Sequence, residues 1–122
     1  MSMKTRPLAE VRMSELQWSE VKRHLPPQLR ARARGQDDAY RRFIETVLWV
    51  IQENMPWASI PAEAGPWRPI YVRYVRWAEQ GHWAGVHRGL GADSVFGRAL
   101  RDHVERSQIR GEWRRQRRDL GR

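Results

Sequence analysis

The 122-residue sequence contains no cysteine. Disulfide frameworks, thiolate metal sites and cysteine nucleophiles are therefore excluded, and a reducing compartment, the cytoplasm, is the expected location. Lysine is almost absent too: of 23 basic residues only Lys4 and Lys22 are lysine, so the positive charge is an arginine charge. No apolar run approaches the roughly 20 residues of a membrane span, and no apolar signal core follows Lys4 and Arg6, so a membrane is not an expected partner. There is no glycine-rich phosphate loop, no nucleophile elbow and no placeable Ser/His/Asp arrangement. His24, His82, His87 and His103 have neither cysteine nor a carboxylate pattern at ligand spacing, so no metal and no cofactor is expected. No stretch shows the period-two alternation that a sheet needs.

What is present is a formal net charge of +9 together with seven tryptophans. The charge points to a polyanionic partner, nucleic acid or anionic lipid, before any specific contact forms. The tryptophans argue for a compact aromatic core and against a disordered basic tail. The length suits one domain with a core of its own. Residues 1–36 carry 8 basic and 3 acidic side chains, 37–65 carry 2 and 5, 66–90 carry 4 and 1, and 91–122 carry 9 and 5. The second stretch is net acidic and reads as scaffold.

Ser14 followed by Gln17 is a capping-box start, and Trp18, Val21 and Leu25 keep a helical spacing until Pro26-Pro27. Residues 1–13 before it read as a flexible N-terminus. In 28–36, Arg30, Arg32 and Arg34 alternate with alanine before Gly35, which predicts a mobile basic linker. Asp37 and Asp38 sit where a helix begins, suited to capping, and Phe43, Ile44, Val47, Leu48, Val50 and Ile51 make the wide apolar face of a central core helix. Pro56 to Gly65 predicts a helical turn or two, closed by the Gly65-Pro66 corner. From Trp67 to Gln80, a 100° advance per residue separates a face with Arg68, Arg73 and Arg76 from one with Ile70, Tyr71, Tyr74, Trp77 and Ala78. Gly81 ends that helix, and Trp83, Val86 and Leu90 predict a short helix packing back on the core. Beyond Gly91 an amphipathic helix with Phe96, Leu100 and Val104 precedes an arginine-rich tail reaching Arg122.

A short helix, a glycine corner and a second helix with a basic outer face is the organisation of a helix-turn-helix, whose second helix enters the major groove. The expected fold is thus all-α, a small helical bundle containing a helix-turn-helix. Arg68, Arg73 and Arg76 are the groove candidates, because arginine can grip guanine O6 and N7 with two hydrogen bonds; the competing reading is a solvated basic face. Arg30, Arg32 and Arg34 suit phosphate or a narrow minor groove, or else a solvated linker. The tryptophans read as core residues ahead of base-stacking ones.

The ordered set Leu16-Gln17-Trp18, Leu25-Pro26-Pro27, Val47-Leu48-Trp49-Val50, Pro56-Trp57, Pro61 and Gly65-Pro66-Trp67, with Tyr71, Arg73, Tyr74, Arg76, Trp77, Gly81 and Trp83, resembles a known pattern. It is similar to the N-terminal helical domain of bacterial insertion-sequence transposases of the insertion-sequence-five group, over about Val11 to Leu90. In that family the domain precedes an RNase-H-like catalytic domain with a DDE carboxylate triad, and the resemblance implies binding to terminal inverted repeats. This chain departs from the pattern at Ala58-Ser59, where Arg-Asp is usual, at Asn54, where glycine is common, and at Val72 and Val75, where arginines are frequent. Asp93-Ser94 loosely resembles the Asp-Ser of the first catalytic strand, but no apolar strand precedes it.

The expectation is therefore a domain at 14–90 that binds double-stranded DNA, located in the bacterial cytoplasm at the nucleoid. Residues 91–122 add a helix and tail. Without the carboxylate triad, catalysis by this chain alone is not expected, and a catalytic transposase chain or a second copy of itself is the expected protein partner. The alternatives are a protein-interaction or dimerisation module, or a transposase remnant with only non-specific DNA affinity.

Overall fold

The computed structural model describes residues 5–91, 93–94 and 96–107. Over these the chain is all-α: α1 (Glu15–His24), α2 (Pro27–Gly35), α3 (Asp37–Gln52), α4 (Trp67–Glu79), α5 (Trp83–Leu90) and α6, which spans 96–107. Three-residue 3₁₀ turns lie at Leu8–Glu10, Trp57–Ser59 and Ala62–Ala64. The arginine-rich tail, Arg110 to Arg122, lies outside the described residues.

The expected capping box closes α1: Ser14 Oγ accepts from the Gln17 backbone N–H at 3.1 Å, and Gln17 Oε1 accepts from the Ser14 N–H at 2.8 Å. Its inner face buries Trp18 and Val21. The central helix is α3, buried without a break from Phe43 to Val50. It ends in a Schellman turn, with Asn54 N–H bonded to Ile51 O at 3.3 Å and Met55 N–H to Val50 O at 3.0 Å. Asn54, at φ 51°, takes the left-handed position that ends the turn, as asparagine can.

Two segments expected to be mobile are ordered. Residues 28–36 form most of α2 instead of a linker. Alternation hid the reason: in helical geometry Leu29 and Ala33 fall one turn apart, and both are buried. Pro27 occupies the first helical position, where its missing N–H costs nothing, and Arg30 Nε donates to Leu25 O at 2.9 Å. The N-terminal segment is likewise pinned over its described part. Val11 and Met13 are buried, the Met13 N–H donates to Glu45 Oε2 at 2.7 Å, and Trp49 Nε1 donates to Arg6 O at 2.7 Å. Arg41 completes the tie, donating to Met13 O and to Glu15 at 2.7 Å. No helical period marks this strap, because its residues pack singly.

Asp37 does not cap its helix; Gln36 is the N-cap and makes no side-chain bond. The carboxylate instead accepts from Trp18 Nε1 at 3.0 Å and Lys22 Nζ at 2.9 Å, tying α3 to α1. Those two bonds hold its pKa below the ordinary carboxylate value.

The short helix α5 lies across α1 through two glycines. A Cβ at Gly89 would stand 2.5 Å from Val21 Cα, and one at Gly85 would stand 2.3 Å from His24 O. Only backbone at these positions permits the crossing. The apolar stripe of α6 also turns inward: Leu100 is fully buried, Phe96 and Val104 are half-buried, and the Tyr74 hydroxyl meets His103 Nδ1 and Ser107 Oγ at 3.0 Å each.

Gly89→Ala should therefore lower the stability of the fold by about 1–3 kcal/mol, read from urea unfolding followed by tryptophan fluorescence. Because Asp37 has a depressed pKa, its ties stabilise the fold above the ordinary carboxylate range and are lost as pH falls below about 4. Asp37→Asn should lower the urea midpoint at pH 7 and shrink its decline between pH 5 and pH 3; an unchanged acid profile would contradict this assignment.

Candidate nucleic-acid interface

The inner face of α4 is aromatic. Tyr74 lies 4.7 Å from Trp57 and 5.5 Å from Trp83 between ring centroids, and Trp77 lies 5.0 Å from Phe43 and 5.1 Å from Trp83. Trp83 Nε1 donates to Tyr74 O at 3.0 Å, which satisfies the buried indole. The described tryptophans thus serve the core, with Trp57 and Trp67 only half-buried. At its C-terminal end α4 closes on Gly81, φ 76°, where the His82 N–H reaches back to Trp77 O at 2.9 Å.

With that face locked, the opposite one points to solvent. Arg68 and Arg76 are exposed, with Val72 between them. Arg68 leans over the Trp67 ring, its guanidinium carbon 5.4 Å from the centroid.

Arg73 is different. It borders the aromatic side of the wheel, and its guanidinium carbon sits 4.5 Å over both Tyr40 and Phe43 and 5.6 Å from Trp77. This is a cation stacked on core rings, half-withdrawn from solvent, and it covers the seam between α3 and α4.

The remaining predicted arginines are on another element. Arg30, Arg32 and Arg34 are exposed on α2, which packs against α1 and α3. Arg30 and Arg34 share a side, one turn apart, while Arg32 lies across the buried Leu29–Ala33 stripe from them.

Two arginines escaped the sequence reading. An open cleft of about 510 Å³ runs between the N-terminal strap, α3 and the start of α4, and Arg12 and Arg42 join Arg73 along it. Its floor is apolar, with Val11, Phe43 and Ile70, and Glu45 and Glu63 also line it. Arg42 falls in the stretch whose net charge is negative, so a count by segment conceals it. Among the described residues no carboxylate pairs with Arg12, Arg42, Arg68, Arg73 or Arg76, whereas Arg41 is held by Glu15 and Glu45 and Arg23 by Glu20.

The first helix expected of the helix-turn-helix is replaced by the 3₁₀ turns at Trp57–Ser59 and Ala62–Ala64, each entered from a proline. The locked corner before α4 is made of prolines and Gly65, φ 95°, not of two full helices. Asp93-Ser94 forms a helix cap: Ser94 Oγ accepts from the Gly97 N–H at 2.9 Å and donates to Gly91 O at 2.7 Å. Among the described residues no group of three or more His, Asp or Glu is arranged to hold a metal ion. No described helix is long and apolar enough to cross a membrane.

A family model described as "Putative transposase of IS4/5 family" matches residues 13–87, from the end of the strap through most of α5. The chain belongs to this transposase family. The uncharacterized protein y4sN of Sinorhizobium fredii is 29% identical over 65 residues, 53% of this chain and 51% of that protein. The chain thus spans about half the length of the curated relative it matches. No solved structure matches. The family match covers the strap end, the capping box, α3 and the whole of α4, and excludes α6.

Within this transposase-family domain Arg73 should act first on stability. Arg73→Ala should cost about 1–2 kcal/mol in urea unfolding, through lost cation–π stacking and lost cover over Phe43, while Arg76→Ala should stay within about 0.5 kcal/mol of the parent.

Proposed function

We propose that this chain is a DNA-binding module of the IS4/5 transposase family, which recognises the terminal inverted repeats of an element through the outer face of α4. The observation that carries the reading is the pair of exposed arginines, Arg68 and Arg76, free of carboxylate partners among the described residues on a helix clamped by its aromatic face. A rigid helix with unneutralised guanidinium groups suits bidentate hydrogen bonding to guanine in the major groove. Arg12, Arg42 and Arg73 along the adjoining cleft, together with Arg30 and Arg34 on α2, suit phosphate contacts that set register without reading bases. The module acts by occupying the ends, guiding a catalytic transposase chain to them or competing with it, and performs no strand cleavage itself.

The dimerisation reading receives less support. The apolar stripe of α6, the amphipathic surface that pairing of two copies would draw on, is turned into the fold, with Leu100 fully buried and Phe96 and Val104 half-buried.

Fluorescence anisotropy of the purified chain on inverted-repeat duplexes and scrambled controls, at several salt concentrations, tests the proposal. Preference for the cognate ends should persist at salt that weakens all complexes, and Arg76→Ala or Arg68→Ala should reduce that preference about tenfold. Arg42→Ala should weaken every duplex alike and flatten the salt dependence by about one phosphate contact. Equal binding to all duplexes, erased by salt, overturns the proposal.

A further inference from the structure

Arg68, Val72 and Arg76 follow one another on α4 at four-residue spacing. Each therefore stands about 40° round the helix and about 6 Å along the axis from the one before. Val72 lies near the middle of the exposed arc, which runs through Pro69 and Glu79 as well as the two arginines. At 45% exposure it is, with Leu16 of α1, one of two large hydrophobic side chains that the described residues leave in solvent. A lone exposed valine ordinarily needs no explanation. This one is bracketed by two guanidinium groups that no carboxylate among the described residues neutralises, on the face proposed to meet a polyanion, so its surroundings in a complex are defined.

We infer that Val72 is a specificity-determining residue that packs against the C5-methyl group of a thymine in the major groove, with Arg68 and Arg76 reading the bases on either side. The inference rests on the DNA-binding reading given above and names what that surface recognises. Valine offers two methyl groups and neither donor nor acceptor. Placed on the major-groove edge of guanine, adenine or cytosine it would leave polar groups without partners, whereas thymine presents the one apolar group in that groove. The span from Arg68 to Arg76 is about 12 Å along the axis, which matches three to four base-pair steps of about 3.4 Å. The thymine should therefore lie between two guanines, on either strand, within about five base pairs. The side chain is short and β-branched, so its methyl positions are set by the backbone that the aromatic face of α4 holds in place.

The test begins with selection of bound duplexes from a randomised library by the full chain. Each thymine of the selected site is then replaced singly by uracil, which removes the methyl group and leaves base pairing intact. One thymine between the guanines should respond, with binding weakened about fourfold, the factor that burial of one methyl commands. In Val72→Ala, an exposed and helix-compatible change, the same replacement should have no effect. Sites in which no thymine responds, or a response that Val72→Ala shows equally, overturn the Val72 contact while leaving the DNA-binding reading in place. Enrichment of no sequence at all overturns both.

Discussion

The wedge of Tyr74 and Trp77 among the rings of Tyr40, Phe43, Trp57 and Trp83 is the contact on which the rest of this structure turns. A helix of 13 residues with arginine at three positions has little reason to hold one orientation in water. Anchored on four large rings and closed at both ends by glycine corners, α4 can turn in only one direction. That orientation decides which side chains belong to the core, which to the surface, and which stand between.

Arginine plays distinct parts here according to depth. Arg41, paired with Glu15 and Glu45 and bonded to Met13 O, is a fastener between the strap and α3, and the Glu15 bond raises its pKa further. Arg73 is a lid of charge laid on aromatic faces. Arg68 and Arg76 stand exposed, and among the described residues neither pairs with a carboxylate. The arginine guanidinium can fill all these parts because it is planar, permanently charged and weakly hydrated, which the lysine ammonium is not. The scarcity of lysine in the chain fits this use.

Much of the fold was legible in the chain. The Ser14/Gln17 box, the wide apolar face of α3, the two-faced α4 and the glycine at 81 depend on neighbours within one or two turns, and such patterns survive in any packing. The misreadings came where burial was made by single residues or by backbone. Val11 and Met13 have no period; Leu29 and Ala33 were masked by intervening arginines; Gly85 and Gly89 matter for what they lack. Asp37 was expected to cap and proved to be an inter-helix tie, because Trp18 and Lys22 approach it from a helix nineteen and fifteen residues away.

The candidate interface divides in the same way. Sequence alone determined that the protein is helical, strongly basic through arginine, built on a tryptophan core and equipped with a basic face on one helix, since composition and short-range periodicity carry these properties. Tertiary structure alone decided that Arg73 lies on the rings of Tyr40 and Phe43 instead of beside Arg76, that Arg12 and Arg42 gather along the same cleft, and that Val72 occupies the middle of the exposed arc. The physical reason is distance along the chain: whether a guanidinium faces water or a ring depends on what another helix brings to it, and residues thirty positions apart leave no mark of that meeting in local pattern.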